Sequence, residues 1–78
     1  MKLTVCELFA GVGGFRIGLE KSGWQTVWSN QYEPSTKVQH AAKCYTKNFG
    51  EKNFSNIDIN KVNYDEIPNH NLLVGGFP

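Results

Sequence analysis

The sequence predicts an α/β fold built on a parallel sheet. Short apolar runs alternate along the chain with a segment of clear helical periodicity. A glycine cluster at residues 11–14 follows the first apolar run directly, as in a strand–turn–helix unit. Hydrophobic residues make up 40% of the chain, which is typical of a globular protein and not of a disordered one. A series of such units implies parallel strands joined by right-handed crossovers.

The first predicted strand covers residues 3–10, a mostly apolar run of the kind that is buried on both faces of a parallel sheet. Residues 11–14 (GVGG) then form a tight turn, and residues 15–22 form a helix. Gly18 would let this helix lie close to the sheet. Gly23 is well placed to end it, because glycine readily adopts the backbone conformation found just past a helix.

Three more strands and one longer helix follow. The strands are predicted at residues 25–30, 54–59 and 72–74. The helix carries one apolar stripe at helical spacing and ends at Gly50. The stripe consists of Val38, Ala41, Ala42, Tyr45 and Phe49.

The charge and the cysteine content of the chain exclude few classes of function. Eight Lys and Arg residues against seven Asp and Glu give a net charge of +1, which argues neither for nor against binding to nucleic acid. Cys6 and Cys44 lie too far apart for a metal or redox motif, so we expect two free thiols in a reducing cytoplasm and no metal. No apolar run approaches the roughly 20 residues of a membrane span. The start of the chain enters a strand directly, so no signal peptide is expected.

The glycine turn is the first candidate binding element, because ligands of parallel sheets bind at the carboxyl ends of the strands. Glycine lets a ligand approach the main chain without meeting a Cβ. The fingerprint of dinucleotide-binding proteins requires a third glycine at position 16, where this chain has Arg16. A purely structural tight turn is the alternative interpretation.

The second and third strands end in further candidates. Gln31 lies twenty residues after Gly11, where nucleoside-binding folds place a side chain that holds the ribose hydroxyls. Tyr32 could stack on an adenine ring or simply cover a helix end. Asp58, with Ile59 beside it, could accept a hydrogen bond from an adenine amine or could serve as a cap or turn residue.

Four short motifs extend over nearly the whole chain in a fixed order. They are residues 9–16 (FAGVGGFR), residues 29–33 (SNQYE), residues 48–50 (NFG) together with Asp58 and Ile59, and residues 75–78 (GGFP). Together they resemble the first three motifs and the opening of the fourth, the proline–cysteine motif, in the cytosine-5 DNA methyltransferases.

The resemblance implies a Rossmann-like, S-adenosylmethionine-dependent methyltransferase fold of which this chain is the first half. Residues 1–78 would form the N-terminal part of the catalytic, cofactor-binding domain, truncated before its nucleophile. The implied activity is transfer of a methyl group from S-adenosylmethionine to carbon 5 of a flipped-out cytosine in DNA. The nucleophilic cysteine is expected immediately after Pro78, outside the chain, so residues 1–78 alone are expected to be inactive and to supply the cofactor pocket.

The resemblance also implies a set of cofactor-binding residues. These are Glu7, Phe9, Gly11, Val12, Gly13, Gly14, Gln31, Tyr32, Asp58, Ile59, Gly76 and Pro78. Glu7 would meet the ammonium group of the cofactor directly or through water, and Phe77 and Pro78 would contact the target base. Gln31 departs from the glutamate that family members often carry, and Glu33 is an alternative holder of the ribose.

The implied partners are double-stranded DNA, contacted mostly by parts outside this chain, and the remainder of the same enzyme or a second chain that completes the sheet. A bacterial, cytoplasmic restriction–modification enzyme is the implied setting. Two other interpretations are the first half of a nicotinamide-dependent oxidoreductase, which Arg16 contradicts, and a non-catalytic module or split subunit with a cofactor pocket and no nucleophile.

Overall fold

Four parallel strands form one sheet in a computed structural model that describes residues 3–76. The strands are β1 (Thr4–Leu8), β2 (Gln25–Asn30), β3 (Phe54–Ser55) and β4 (Leu72–Gly75), and their order across the sheet is β3-β2-β1-β4. The all-parallel pairing confirms the predicted α/β class. Because β1 and β2 are central, their carboxyl ends meet in the middle of one sheet edge.

Two helices connect the first three strands. Helix α1 (Gly14–Lys21) follows the glycine turn, and helix α2 (His40–Phe49) precedes β3. Gly23 and Gly50, the predicted helix ends, have positive φ angles of 88° and 83° and donate to carbonyls of the last turns. None of the helices among residues 3–76 is long and apolar enough to cross a membrane.

The first strand is shorter than predicted and ends at Leu8. Phe9 has a φ angle of 52°, a left-handed conformation that no strand residue can keep. The chain therefore turns out of the sheet there, and the N–H of Ala10 donates to the carbonyl oxygen of Asn30 at 3.0 Å.

Val38, which the predicted apolar stripe places in the helix, lies outside it, since α2 begins at His40 and Val38 is exposed. The hydroxyl of Thr36 donates to the carbonyl of Val38 at 2.8 Å, and the side chain of Gln39 bonds back to earlier residues. These bonds hold the residues before His40 in turns, so the helix begins later in the sequence than the stripe predicts.

The third strand has two residues where six were predicted. Side-chain amides replace the main-chain ladder beyond Ser55. Asn56 Nδ2 donates to the carbonyl of Gln31 at 2.6 Å, and Asn30 Nδ2 donates to the carbonyl of Ile57 at 2.8 Å. A short 3-10 turn, Ile59–Lys61, follows, so Asp58 lies at its start and not at a strand end.

Apolar side chains cover the two faces of the sheet differently. On one face Cys6, Trp28 and Val62 form a buried cluster, and Leu8, Ile59 and Ile67 pack around it. On the other face Tyr45 of α2 is fully buried against the rings of Phe49 and Phe54, with both centroid distances 4.9 Å. No atom lies within 4 Å of the place where a Cβ at Gly18 would be. The prediction that Gly18 lets α1 lie close to the sheet is therefore wrong.

Candidate functional site

A cavity of about 670 Å³ opens where β1 and β2 end. Ligand pockets in proteins usually have volumes of about 300–1,000 Å³. Seven residues that the sequence singled out line it, namely Phe9, Gly11, Gln31, Tyr32, Glu33, Asp58 and Ile59. They come from segments up to fifty residues apart in the chain, and the parallel topology brings them to one edge of the sheet.

The glycine turn presents an open main chain to this cavity. Gly11 has a φ angle of +60°, and no atom lies within 4 Å of the place where its Cβ would be. Its N–H donates to Gln31 Oε1 at 2.8 Å, and the N–H of Gly13 donates to the carbonyl of Ala10 at 3.1 Å. These two N–H groups are therefore engaged within the protein and are not free to bind a phosphate.

Gln31 is held by this contact with the turn. Its main-chain N–H donates to the carbonyl of Ser55 at 3.0 Å, which fixes the backbone at the end of β2. The side-chain oxygen is used by Gly11, which keeps the Nε2 group as the donor available to a ligand.

Two aromatic side chains lie in the cavity wall. Tyr32 is 37% exposed and Phe9 is 36% exposed, so each offers a ring surface to a bound molecule. Phe9 is also one of two non-glycine residues in residues 3–76 with positive φ. Left-handed conformations of bulky residues are uncommon and concentrate at functional sites.

Asp58 fits both interpretations that the sequence left open. Its Oδ1 accepts a hydrogen bond from the N–H of Asn60 at 2.9 Å and so caps the 3-10 turn. The same residue lines the cavity, where its second oxygen remains for a ligand. Ile59 likewise has two roles, because it lines the cavity and packs against the core cluster of Cys6, Trp28 and Val62.

Glu33 lines the cavity but has a structural bond of its own. Its Oε1 accepts from the N–H of Ala41 at 2.9 Å, at the start of α2. Negative charge at a helix N-terminus is favourable because the free N–H groups carry partial positive charge. This bond gives Glu33 a helix-capping role, whereas the Gln31 side chain bonds the glycine turn.

Glu7 lies away from the cavity. It is 1% exposed, on the face of β1 that α2 covers, and its Oε1 accepts a hydrogen bond from the Tyr45 hydroxyl at 3.0 Å. Arg16 Nη1 donates to that hydroxyl oxygen at 3.2 Å. Burial raises the pKa of Glu7 above the usual value of a glutamate, and its Oε2 has no hydrogen-bond partner among the described residues. Its predicted contact with a ligand stays a prediction.

The remaining predicted site residues surround the turn. Val12 is exposed, Gly14 begins α1, and Gly13 is buried beneath the ring of Phe49, which a Cβ would overlap. A Cβ at Gly76 would lie 3.7 Å from the carbonyl oxygen of Phe9, a residue that lines the cavity, whereas Gly76 itself is not among the lining residues. Phe77 and Pro78 lie outside the described residues.

Sequence reasoning missed part of the lining, namely Asn30, Pro34, Ser35 and Asn60. The signal that could have found them is position, because each lies at or just beyond the end of β2 or β3. Among residues 3–76, no group of three His, Cys, Asp or Glu side chains is placed to hold a metal ion.

Comparison with known proteins assigns the chain to a family. The family model of C-5 cytosine-specific DNA methylases matches residues 3–78. The Type II methyltransferase M.Sau3AI of Staphylococcus aureus is 52% identical over 82 aligned residues, which cover 99% of this chain and 20% of that protein. M.HhaI of Haemophilus parahaemolyticus is 43% identical over 76 residues, covering 97% of this chain and 21% of the relative.

A third relative, M.BsuFI of Bacillus subtilis, is 40% identical over 78 residues, covering the whole chain and 17% of that protein. The chain thus spans about a fifth of the length of these curated relatives. Since the family model matches all but the first two residues, the chain belongs to the family of C-5 cytosine-specific DNA methylases.

Proposed function

We propose that this protein transfers a methyl group from S-adenosylmethionine to carbon 5 of cytosine in DNA, and that residues 3–76 form its cofactor pocket. The observation that carries the proposal is the convergence of Phe9, Gly11, Gln31, Tyr32 and Asp58 on one cavity. The names of its relatives as Type II methyltransferases support a role in a restriction–modification system.

The chemistry of the cavity fits a cationic nucleoside without phosphate. Among the described residues, none that lines it is a lysine or arginine, whereas Asp58 and Glu33 carry carboxylates. Phosphate sites need cationic side chains or free N–H groups, and the N–H groups of Gly11 and Gly13 are already bonded. A sulfonium-bearing nucleoside meets these conditions better than a dinucleotide with its pyrophosphate.

Each cavity residue has a task in holding this cofactor. The Tyr32 ring would lie against the adenine, and the free oxygen of Asp58 would accept a bond from the adenine amine. Gln31 Nε2 would donate to a ribose hydroxyl, while the open face of Gly11 would let the rest of the molecule pass close to the main chain. When bound, S-adenosylmethionine supplies an electrophilic methyl group.

The other half of the reaction is proposed to belong to residues after Pro78. In the family pattern, a cysteine thiolate there adds to carbon 6 of the cytosine and makes carbon 5 nucleophilic. Such an attack requires the base to be flipped out of the DNA duplex, which makes double-stranded DNA the proposed partner.

Calorimetric titration of the intact protein tests the pocket. We expect heat from S-adenosylmethionine and from S-adenosylhomocysteine and none from NAD; binding of NAD alone would refute the assignment.

Transfer of labelled methyl groups to DNA, with 5-methylcytosine recovered after digestion, tests the activity, and the 78-residue polypeptide alone should transfer none. Cofactor binding without transfer in the intact protein would instead support the non-catalytic module.

A further inference from the structure

We propose that Gln39 is a positioning residue that sets the shape of the cofactor pocket from outside it. The inference rests on the proposed function, because it takes the cavity at the ends of β1 and β2 to be the cofactor site. Gln39 does not line that cavity, and the sequence did not single it out.

The part of the pocket in question is the wall segment, defined here as residues 31–36. Five of its six residues line the cavity, including Tyr32. The wall segment contains no helix or strand, and the bond from the Gln31 N–H to the carbonyl of Ser55 ties only its first residue to the sheet. Beyond Gln31 its shape depends on hydrogen bonds made by side chains, including side chains that reach it from elsewhere.

The Gln39 side chain makes four hydrogen bonds, three of them to the wall segment. Its Oε1 accepts from the N–H of Glu33 at 2.7 Å and from Asn56 Nδ2 at 3.2 Å. Its Nε2 donates to the carbonyl of Glu33 at 2.8 Å and to the carbonyl of Thr36 at 3.0 Å. A primary amide offers two donors and two acceptor sites, so Gln39 uses its full capacity. It bonds both the main-chain N–H and the main-chain carbonyl of Glu33, as a neighbouring β-strand would.

Asn56 extends the same network to the start of the wall segment. Its Nδ2 donates to the carbonyl of Gln31 at 2.6 Å as well as to Gln39 Oε1. The backbone is therefore tied at Gln31, Glu33 and Thr36, which lie on both sides of Tyr32 and span the wall segment. Since Gln31 and Glu33 are held on either side of Tyr32, the backbone that carries the Tyr32 ring is held as well.

Only an amide can satisfy this arrangement. A glutamate at position 39 would keep the acceptor oxygen but lose both donors, and its charge would face the carbonyls of Glu33 and Thr36. A leucine would remove all four bonds, and the loss is costly at the two main-chain groups of Glu33, because those bonds are half-buried. Both changes should loosen the wall segment.

Cofactor affinity and turnover in the intact protein separate this role from a general loss of stability. We expect Gln39→Glu and Gln39→Leu to raise the Kd of S-adenosylhomocysteine about tenfold or more, because binding must then order a wall segment that Gln39 holds in place in the parent protein. The kcat at saturating S-adenosylmethionine should change less than about twofold, since an interaction that only binds the cofactor affects KM and not kcat.

The matched control is Asn71→Ala. Asn71 Oδ1 accepts from the N–H and hydroxyl of Thr4, near the amino end of β1 and far from the wall segment. This variant should lose stability while keeping the Kd of the parent. A Kd in both Gln39 variants within about twofold of the parent would overturn the inference.

Hydrogen exchange in the ligand-free protein distinguishes failure of this inference from failure of the proposed function. The amide of Glu33 should exchange faster in Gln39→Leu than in the parent or in Asn71→Ala. Unchanged exchange at Glu33 overturns the inference whatever the protein binds. Faster exchange in a protein whose parent form binds no S-adenosylhomocysteine supports the positioning role and refutes the cofactor.

Discussion

Tyr32 carries the most direct prediction at the scale of single residues. Tyr32→Ala removes the ring that lines the cavity, and we expect cofactor affinity to fall roughly tenfold to more than a hundredfold, from about 1–3 kcal/mol of lost stacking. Tyr32→Phe keeps the ring and should bind like the parent. Calorimetric titration measures both. If Tyr32→Ala binds as tightly as the parent, Tyr32 is only a packing residue.

Gln31 should respond to the chemistry of its substitute. Gln31→Glu keeps an oxygen for the N–H of Gly11 and adds an acceptor for the ribose hydroxyls, so affinity should be retained or improved. Gln31→Leu leaves both the Gly11 N–H and the ribose without a partner, so affinity should fall. The effect should appear in the Kd of the cofactor and not in that of DNA. Equal cofactor affinity of the leucine variant and the parent would contradict this role.

Glu7 makes stability depend on pH in a direction opposite to that of most carboxylates. Burial raises its pKa in the folded protein, so the folded state binds the proton more tightly than the unfolded state. The free energy of unfolding should therefore fall as pH rises from the unfolded-state pKa through the folded-state pKa.

The control for this effect is Glu7→Gln, which lacks the titrating group and should lack that contribution to the pH dependence. Urea unfolding of both proteins between about pH 4 and pH 8 measures the difference. Identical pH dependence in the two proteins would show that Glu7 stays ionised in the folded state at little cost.

Some residues of the candidate site could be predicted from the sequence and others could not. The positions of Gln31 and Tyr32 in the cavity wall were predictable because the end of β2 and the spacing from Gly11 mark them. The burial of Glu7 was not, since it follows from Tyr45, which lies 38 positions away on another element. Gln39 left no signal for the same reason, because its bonds to Glu33 and Thr36 depend on the course of an irregular loop.

At the scale of elements, predictions held where local signals and packing agreed. Strand β2 has the predicted bounds, and glycines end both helices as expected. Predictions failed where side-chain amides took over main-chain bonds. Asn30 and Asn56 replace the ladder beyond β3, and the side chain of Gln39 bonds Glu33 and Thr36 in the loop before α2, which leaves Val38 outside the helix. Hydrophobic periodicity carries no information about such competition.

The glycine turn and α1 give a matched pair of substitutions. Gly13→Ala should lower the free energy of unfolding by about 2–4 kcal/mol, because a Cβ there overlaps the Phe49 ring and the φ angle of 98° is strained for alanine. Gly18→Ala adds the same methyl group in open space on a helix and should raise stability by about 0.5–1 kcal/mol. Thermal unfolding measures both. A loss from Gly18→Ala equal to that from Gly13→Ala would contradict the proposed role of Phe49.

At the scale of the whole molecule, β4 lies at the edge of the sheet and pairs with one described strand, β1. Strand edges with exposed apolar side chains favour pairing between molecules, and Leu73 on β4 is 58% exposed. We expect the 78-residue polypeptide alone to self-associate and Leu73→Thr to reduce this. Tyr64→Ser, which removes an exposed ring away from any strand, should not. Sedimentation velocity over a range of concentrations tests the prediction, and a monomeric parent at high concentration would contradict it.

The parallel sheet was predictable at this scale, whereas the order of its strands was not. Repeated strand–helix units imply parallel pairing, but nothing local states that β4 pairs with β1 and not with β3. That choice is made by contacts such as Val5 with Leu72, whose partners lie far apart in the chain.

The strand order has a consequence for the time course of synthesis. The ribosome completes β1 first and β4 last of the four strands, although the two lie side by side. Among residues 3–76, every residue that lines the cavity precedes β4, from Phe9 to Asn60. The nascent chain can therefore assemble its pocket while one edge of β1 is still open. Contacts between such distant segments form slowly, so closure of that edge should be the late event, and the newborn protein would be most exposed to aggregation there.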